Sequence, residues 1–113
     1  MPRYVPARGE IVWLEFHPQT GREQAGRRPA LVLSAESYNR KSGLAVLCPV
    51  TSQRKGYPFE VPLPPGGRIE GVVLSDQVRS LDWRTRKAAR IERAPAASVR
   101  EVVAKIQALL APA

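Results

Sequence analysis

The stretch Glu10–Phe16, which reads EIVWLEF, is the clearest structural signal in the chain. β-Branched, aromatic and other apolar residues dominate it, Gly9 precedes it and His17-Pro18 ends it, which is the pattern of a β-strand. Eleven prolines and eight glycines divide the 113-residue sequence into pieces that are mostly too short for helices. Short strands are therefore the expected building blocks of the fold.

Outward from this strand, apolar runs follow one another at close spacing. The polar residues 35–41 predict a helical turn, and two weaker strand patterns lie at 79–81 and 89–92. The other predicted strands are residues 28–34, with Pro29 at the beginning, and residues 44–50, 59–63 and 71–75. Five to seven short strands are typical of a small barrel or sandwich. The fold class is predicted to be mainly β, within the β-rich α+β proteins.

The C-terminal segment has a helical period. Ser98, followed by Glu101 three residues later, predicts a capping box that opens the helix at Ser98. We expect its apolar stripe to pack on the domain's own sheet, with a partner-binding face as the alternative. The stripe consists of Val99, Val102, Val103, Ile106, Leu109 and Leu110.

The charge balance points to an anionic partner. The chain has 18 Lys plus Arg against 10 Asp plus Glu, a formal net charge of +8, and 14 of the 18 basic residues are arginine. Arginine binds phosphate bidentately and stacks on bases, whereas lysine offers a point charge. A nucleic acid is therefore the first partner to consider, although many basic domains are merely soluble.

The remaining composition excludes several classes of protein. A length of 113 residues predicts a single domain, residues 1–113. No apolar run is long enough to span a membrane and no signal-peptide stretch follows Met1, so a cytoplasmic protein is expected. Cys48 is the only cysteine and His17 the only histidine, which leaves neither an intrachain disulfide nor a cysteine/histidine zinc site. No metal and no cofactor are expected.

Polar loops are predicted to converge at one end of the sheet. If consecutive strands run antiparallel, the loops 17–27 and 51–58 and the residues after strand 71–75 share one end. The turns at 35–43 and 62–70 then fall at the opposite end. The converging residues are Arg22, Glu23, Gln24, Arg27, Arg28, Thr51, Ser52, Gln53, Arg54 and Lys55, with Asp76 and Gln77 beside them.

Such a cluster is either solvated loop surface or a binding site. The eleven-residue loop 17–27 favours a binding site, because long loops in compact domains often bind a ligand. Phe16, Tyr57 and Phe59 flank the cluster and could stack on the bases of single-stranded nucleic acid. Aromatic residues at strand ends are more often core, and we expect Trp13 to be core and leave both interpretations open for Tyr57.

Three blocks of sequence resemble the signature blocks of one family. The blocks are Glu23–Ala30 (EQAGRRPA), Thr51–Val61 (TSQRKGYPFEV) and Gly71–Arg84 (GVVLSDQVRSLDWR), and Arg3–Pro6 and Gly9–Trp13 extend the match toward the N-terminus. In this order and spacing, they make the chain similar to the MazF/PemK/Kid family of toxin endoribonucleases, and most of all to its enterobacterial members. The resemblance weakens in the proline-rich turn and from about residue 85 onward.

The resemblance implies a fold, an activity and partners. The fold is an SH3-like β-barrel with a C-terminal helix, assembled as a homodimer. The activity is metal-independent, sequence-specific cleavage of single-stranded RNA, including mRNA, which inhibits translation and growth. The implied partner is a cognate acidic, MazE-like antitoxin whose flexible tail lies across the RNA site. A short ACA-containing cleavage site is the first expectation.

The resemblance also assigns residues by position. Arg28, Glu23 and Thr51 are the implied catalytic residues, and Arg27 is a departure, because the enterobacterial members have histidine there. The implied RNA-binding residues are His17, Gln24, Arg27, Ser52, Gln53, Arg54, Lys55, Tyr57, Pro58, Gln77, Arg79 and Arg84.

Chemistry limits what these residues can do. Attack of a ribose 2′-hydroxyl on the adjacent phosphorus needs a base, a proton for the leaving 5′-oxygen and stabilisation of a dianionic phosphorane. One histidine cannot supply the familiar pair of histidines. Glu23 is the candidate base. Arg28 is the candidate electrostatic stabiliser, and proton donation is its second possible role. Thr51 is the candidate hydrogen-bond donor to a non-bridging oxygen. Glu23 could instead pair with a neighbouring arginine, and Thr51 could simply end a strand.

Two other functions remain open. One is a non-catalytic RNA-binding module with the same basic surface. The other is a gyrase poison resembling CcdB, which has this fold but depends on a Trp-Gly-Ile end to its C-terminal helix. The residues Leu110–Ala113, LAPA, argue against that class.

Overall fold

Short antiparallel β-strands and two α-helices form the part of the chain that the structure, a computed structural model, describes: residues 4–16 and 26–112. The strands are β1 Glu10–Phe16, β2 Gly26–Val32, β3 Leu44–Thr51, β4 Glu60–Pro62, β5 Val72–Leu74, β6 Arg79–Asp82 and β7 Ala89–Arg93. The helices are α1 Glu36–Ser42 and α2 Ala96–Leu110, and a 3₁₀ turn, Ser75–Gln77, joins β5 to β6. The predicted mainly β class is confirmed, and all seven strand patterns form strands.

β3 is the strand at which the sheet divides. The order is β4-β5-β3-β2-β1-β7, with β6 paired to β3. Leu47 pairs with Val32 of β2 and with Arg79 of β6, so these two strands flank opposite edges of β3. On the same edge of β3 as β6, but nearer to the end of β3, the pairing partner is β5, and Thr51 is opposite Val72. We call the end of the sheet where β3 finishes and β2 begins the Thr51 end.

Side-chain alternation gives the sheet two buried faces. On β1, Ile11 belongs to a first core cluster, whereas Val12 and Leu14 belong to a second. The first cluster includes Val102 of α2, which is fully buried, so α2 packs on the domain's own sheet as expected. The second cluster is closed by Trp83, whose Nε1 donates to the carbonyl oxygen of Asn39 in α1 over 2.9 Å.

A buried carboxylate ties the N-terminal segment to the sheet. Glu10 is 6% exposed, and its Oε1 accepts hydrogen bonds from the Tyr4 hydroxyl and from the Ala7 amide at 2.9 Å. Its Oε2 accepts one from Arg90 Nε on β7 at 2.8 Å. Burial alone would raise the pKa of Glu10, but these hydrogen bonds outweigh it and lower the pKa.

The prediction that the proline-rich turn lies opposite the Thr51 end is wrong. β4 pairs with β5 and β5 pairs with β3, so β5 starts at the Thr51 end and runs away from it. The turn before β5 therefore lies at the Thr51 end, where a Cβ on Gly71 would stand 2.2 Å from the Thr51 carbonyl oxygen. The prediction assumed that consecutive strands run antiparallel to each other. β3 and β4 do not, because they are not neighbours: each of them pairs with β5.

The same topology moves the residues after β5. The Ser75 carbonyl oxygen accepts from Cys48 Sγ at 4.0 Å, and Asp76 and Gln77 follow it toward β6, whose first residue pairs with Leu47. The prediction that β5 finishes at the Thr51 end and places Asp76 and Gln77 there is therefore wrong. Instead, the Ser75 amide donates to the Phe59 carbonyl oxygen at 3.1 Å, just after the far end of the loop 52–58.

Three local predictions are also corrected. α2 begins at Ala96 after Pro95 with no side-chain cap, so the capping box at Ser98 is wrong, and Ser98 is buried inside the first turn. Trp13 is 36% exposed and not core. It lies on the same face of β1 as Ile11, but the first core cluster, which includes Ile11, does not extend as far as Trp13. Pro29 lies inside β2, opposite Trp13, where pairing with β3 has already ended.

Neither described helix has the length and apolar character needed to span a bilayer.

Candidate functional site

The predicted catalytic residues Arg28 and Thr51 share one face and one end of the sheet. On β2, Arg28 alternates with Ala30 of the second core cluster, and on β3, Thr51 alternates with Leu47 of the same cluster. Ala30 pairs with Pro49, and Arg28 and Thr51 each lie two residues beyond that pair in the same direction. Adjacent strands thus carry the guanidinium and the hydroxyl at the same level.

This face is concave at the Thr51 end. Arg79 of β6 lies with its Cζ 6.0 Å from the centre of the Phe16 ring at the end of β1. β2 and β3 lie between those two strands, so a contact between them requires the sheet to curve around this face. Arg28 and Thr51 therefore stand on the two inner strands of the curve. Phe16 is 2% exposed, so its ring is covered and is not an open stacking surface.

Thr51 is held in place by backbone contacts on both sides. Its Oγ1 accepts a hydrogen bond from the Gln53 amide at 3.2 Å, which leaves the hydroxyl hydrogen for another acceptor. Gly71 lies so close to the Thr51 carbonyl that only a residue without Cβ fits there, and its φ is +127°. Sequence reasoning missed this role of Gly71, whose signal is a glycine directly before a β-branched run.

The loop 52–58 extends from Thr51 into solvent. Tyr57 is 57% exposed, so it is not core and its ring face is open. A cavity of about 430 Å³ lies between this loop and the proline-rich turn, lined by Ser52, Arg54, Leu63, Pro65, Glu70 and Gly71. The predicted RNA-binding residues of this loop are all exposed: Ser52, Gln53, Arg54, Lys55, Tyr57 and Pro58.

The loop 52–58 is held by a buried residue, Glu60, whose role sequence reasoning missed. Glu60, the first residue of β4, is 8% exposed, and its carboxylate accepts hydrogen bonds from the amides of Lys55 and Gly56. Lys105 of α2 donates to the carbonyl oxygen of Pro58. The sequence carries no signal for this role, because an acidic residue between Phe59 and Val61 is expected on the solvent face of a strand.

Two of the predicted RNA-binding arginines lie away from Arg28 and Thr51. Arg27 lies on the opposite face of β2, where its Nη1 is 3.8 Å from Glu15 Oε2 and donates to the Lys87 carbonyl at 3.3 Å. Arg84 stacks on Trp83 with its Cζ 4.8 Å from the ring centre and donates to the Arg40 carbonyl of α1 at 3.2 Å. α1 connects the other ends of β2 and β3, so Arg84 lies opposite the Thr51 end.

Three predicted site residues, His17, Glu23 and Gln24, lie outside the described residues, as does Arg22. The geometry of the candidate site therefore rests on Arg28, Thr51, Arg79 and the loop 52–58.

The fold and this arrangement match one family of proteins along almost the whole chain. A family model described as "PemK-like, MazF-like toxin of type II toxin-antitoxin system" matches residues 7–110. The chain therefore belongs to this family of toxins, and the family predicted from the three sequence blocks is confirmed.

Particular relatives cover the chain nearly end to end. The chain is 46% identical over 108 residues to "Endoribonuclease toxin MazF" of Escherichia coli strain K12, covering 96% of each protein. It is 37% identical over 107 residues to "Endoribonuclease PemK" of Escherichia coli, covering 91% of this chain and 80% of that protein.

Solved structures confirm the predicted barrel fold. MazF from Deinococcus radiodurans superimposes with a TM-score of 0.92 at 56% identity, covering 96% of this chain and 98% of that one. A chain of a MazE–MazF complex from the same organism superimposes with a TM-score of 0.87 at 56% identity, covering 96% and 97%.

Proposed function

We propose that this toxin is an endoribonuclease that cleaves single-stranded RNA, mRNA in the cell, at the concave face of its sheet and thereby arrests translation and growth. The observation that carries the proposal is the position of Arg28 and Thr51 at the same level of adjacent strands on that face. The names of the similar proteins, endoribonucleases from Escherichia coli, support the same activity.

The reaction is transfer of the phosphoryl group to the neighbouring 2′-oxygen. The 2′-oxygen attacks phosphorus, the O2′–P bond forms and the P–O5′ bond breaks, which gives a 2′,3′-cyclic phosphate and a 5′-hydroxyl. The 2′-hydroxyl proton passes to a base, and the leaving 5′-oxygen takes up a proton. In this scheme the chain's own side chains supply the catalysis.

Arg28 and Thr51 stabilise the transition state in this scheme. The guanidinium of Arg28 places a fixed positive charge and a fork of N–H donors against the non-bridging oxygens, where negative charge develops. Thr51 donates its hydroxyl hydrogen to one of these oxygens. Arginine is a poor proton donor, because the guanidinium holds its proton strongly, so charge stabilisation is its main role. Glu23, which the family resemblance places among the catalytic residues, is the candidate base.

The loop 52–58 holds the RNA next to this pair. Arg54 and Lys55 bring positive charge to phosphates, and the open ring of Tyr57 stacks on a base. Gln53 and Ser52 supply groups that read base edges. An ACA-containing sequence is the expected target.

A fluorogenic single-stranded RNA, incubated with excess EDTA, tests the activity. The endoribonuclease releases signal, and the 5′-hydroxyl product is labelled by polynucleotide kinase without prior phosphatase treatment. Thr51→Val keeps the shape and removes the hydroxyl, so it lowers kcat by about 10²-fold. Thr85→Val, which makes the same substitution at an exposed threonine after β6, is the matched control and leaves the rate unchanged. Binding of the RNA without cleavage would favour the RNA-binding module, and inhibition of gyrase without cleavage would favour the CcdB-like poison.

The toxin is also expected to act as a homodimer under the control of an acidic antitoxin. The net charge of +8 favours an acidic partner. The MazE–MazF complexes of Deinococcus radiodurans are solved with a toxin chain similar to this one. Light scattering of the purified chain should give the mass of two chains. A matching acidic antitoxin encoded next to the toxin should co-purify with it and suppress cleavage.

A further inference from the structure

The carboxylate of Glu60 is placed as an anchor for the loop 52–58. Oε2 accepts from the Lys55 amide at 3.0 Å and Oε1 from the Gly56 amide at 3.0 Å, with a further contact of 3.2 Å from the Lys55 amide to Oε1. The residue is 8% exposed, although it follows a run of exposed residues. Both carboxylate oxygens are therefore occupied by the backbone of one loop.

Few other contacts with the described residues hold this loop. None of its residues from 53 to 58 lies in a strand, so it has no ladder hydrogen bonds. Its ends are tied by the Gln53 amide to Thr51 Oγ1 and by Lys105 to the Pro58 carbonyl. The Glu60 carboxylate fixes the middle, at Gly56, whose φ of +81° produces the sharp turn. Charge-assisted hydrogen bonds of this kind are stronger than neutral ones.

We propose that Glu60 is a positioning residue for RNA recognition, which fixes the loop 52–58 so that Arg54, Lys55 and Tyr57 meet the RNA in a single arrangement. This inference rests on the proposed endoribonuclease function. Glu60 touches no RNA itself: it is turned to the backbone of the loop, and it acts through the side chains that the loop carries. Its loss should therefore change which sequences are cut as well as how fast they are cut.

Glu60→Gln is the sharpest test, because it keeps the size and removes one acceptor. The new amide NH₂ faces a backbone N–H, so the loop has to move away. Misplacement of a bound substrate by about 1 Å lowers turnover by about 10²-fold. We expect kcat/KM on the preferred sequence to fall by about 10- to 100-fold, mostly through kcat, and the ratio of preferred to secondary cleavage sites to fall with it.

Glu92→Gln is the matched control. The Glu92 carboxylate also accepts two backbone hydrogen bonds, from the amides of Arg68 at 3.0 Å and Ile69 at 2.9 Å, but in the proline-rich turn. It should lower the melting temperature by no more than Glu60→Gln does, because Glu92 is less buried than Glu60, and it should leave the cleavage-site ratio unchanged. The ratio is measured by sequencing the 5′ ends of a cleaved RNA pool at equal extents of reaction.

A second pair of variants tests the loop without removing a buried group. Gly56 and Gly66 both have positive φ, +81° and +97°, and a Cβ at either position would have no neighbouring atom within 4 Å. Alanine therefore strains only the local backbone in each variant. Gly56→Ala should reduce the cleavage-site ratio, and Gly66→Ala should not.

The outcomes separate this inference from the function on which it rests. Reduced selectivity in Glu60→Gln and Gly56→Ala, with unchanged selectivity in both controls, supports the positioning role. An active wild-type toxin whose selectivity survives both loop variants overturns the inference and leaves the proposed function intact. A wild-type toxin that cleaves no RNA overturns both.

Discussion

Replacement of Glu10 by glutamine should destabilise the protein in a pH-dependent way. The substitution keeps an oxygen for the Tyr4 hydroxyl and the Ala7 amide but places an NH₂ group opposite Arg90 Nε, which now lies 2.8 Å from Oε2. Losing a hydrogen bond to a charged group costs about 1.5–3 kcal/mol. At about 4 °C per kcal/mol for a domain of this size, the melting temperature should fall by about 6–12 °C at pH 7.

The sign of the pH dependence follows from the lowered pKa of Glu10. Because the folded protein lowers this pKa from its ordinary value of 4.5, the folded state favours the carboxylate. The stabilisation is complete above the unfolded pKa and is lost as the pH falls through the folded pKa. The difference in melting temperature between wild type and Glu10→Gln should therefore be full at pH 7 and shrink below about pH 4.5.

Thermal unfolding followed by circular dichroism from pH 3 to pH 8 measures this difference. Glu36→Gln is the control, because Glu36 forms an exposed pair with Arg40 on α1. That pair contributes about 0.3–0.5 kcal/mol, so the control should shift the melting temperature by about 2 °C or less. A Glu10→Gln variant as stable as wild type at pH 7, or a difference that does not change with pH, would refute the assignment.

Three further outcomes follow from packing. Gly71→Ala should cost about 3 kcal/mol or more in urea denaturation, since its Cβ would stand 2.2 Å from the Thr51 carbonyl oxygen, whereas Gly66→Ala should cost about 1–2 kcal/mol. Val102→Ala should cost about 2 kcal/mol in the same assay, because α2 buries this side chain completely; a neutral effect would contradict packing of α2 on the sheet. Cys48 is fully buried and burial raises its pKa to about 12, so Ellman's reagent should react with it only after unfolding, and rapid reaction of the native protein would contradict that burial.

The strands were predictable because each one carries its own signal. Glu10–Phe16 is bounded as predicted, and the short β-branched runs between prolines and glycines all form strands. Local composition decides such elements, since only the residues within one run determine its β propensity and its turns.

The sheet order was not predictable from those signals. Nothing in the sequence of β4 says that it pairs with β5 and not with β3, yet this choice brings the turn at Gly71 to Thr51 and takes Gln77 away from it. Pairing depends on which faces find partners across the whole molecule. The same reason explains Trp13. Its strand, β1, was predicted correctly, but the face of β1 that carries Ile11 and Trp13 extends beyond the first core cluster at Trp13.

The candidate site was predictable in part. Arg28 and Thr51 lie at the same level of adjacent strands, as the strand count predicted, because β1, β2 and β3 are neighbours in both sequence and space. Arg27 and Arg84 lie away from this pair, since alternation turns Arg27 to the other face of β2 and Arg84 lies beside α1. Burial of Glu60 under the loop depends on the fold and could not be read from its spacing.

The rate of RNA cleavage by Arg28→Ala, compared with Arg27→Ala, tests the central claim most directly. The two variants lose the same charge from adjacent positions on opposite faces of β2. With excess EDTA and a fluorogenic single-stranded RNA, Arg28→Ala should reduce kcat by about 10²–10³-fold with its circular dichroism spectrum unchanged. Arg27→Ala should show a far smaller loss of kcat/KM, and that loss should arise from a higher KM. Cleavage by Arg28→Ala within a few-fold of wild type, or equal losses of kcat in the two variants, would contradict a catalytic site on the concave face.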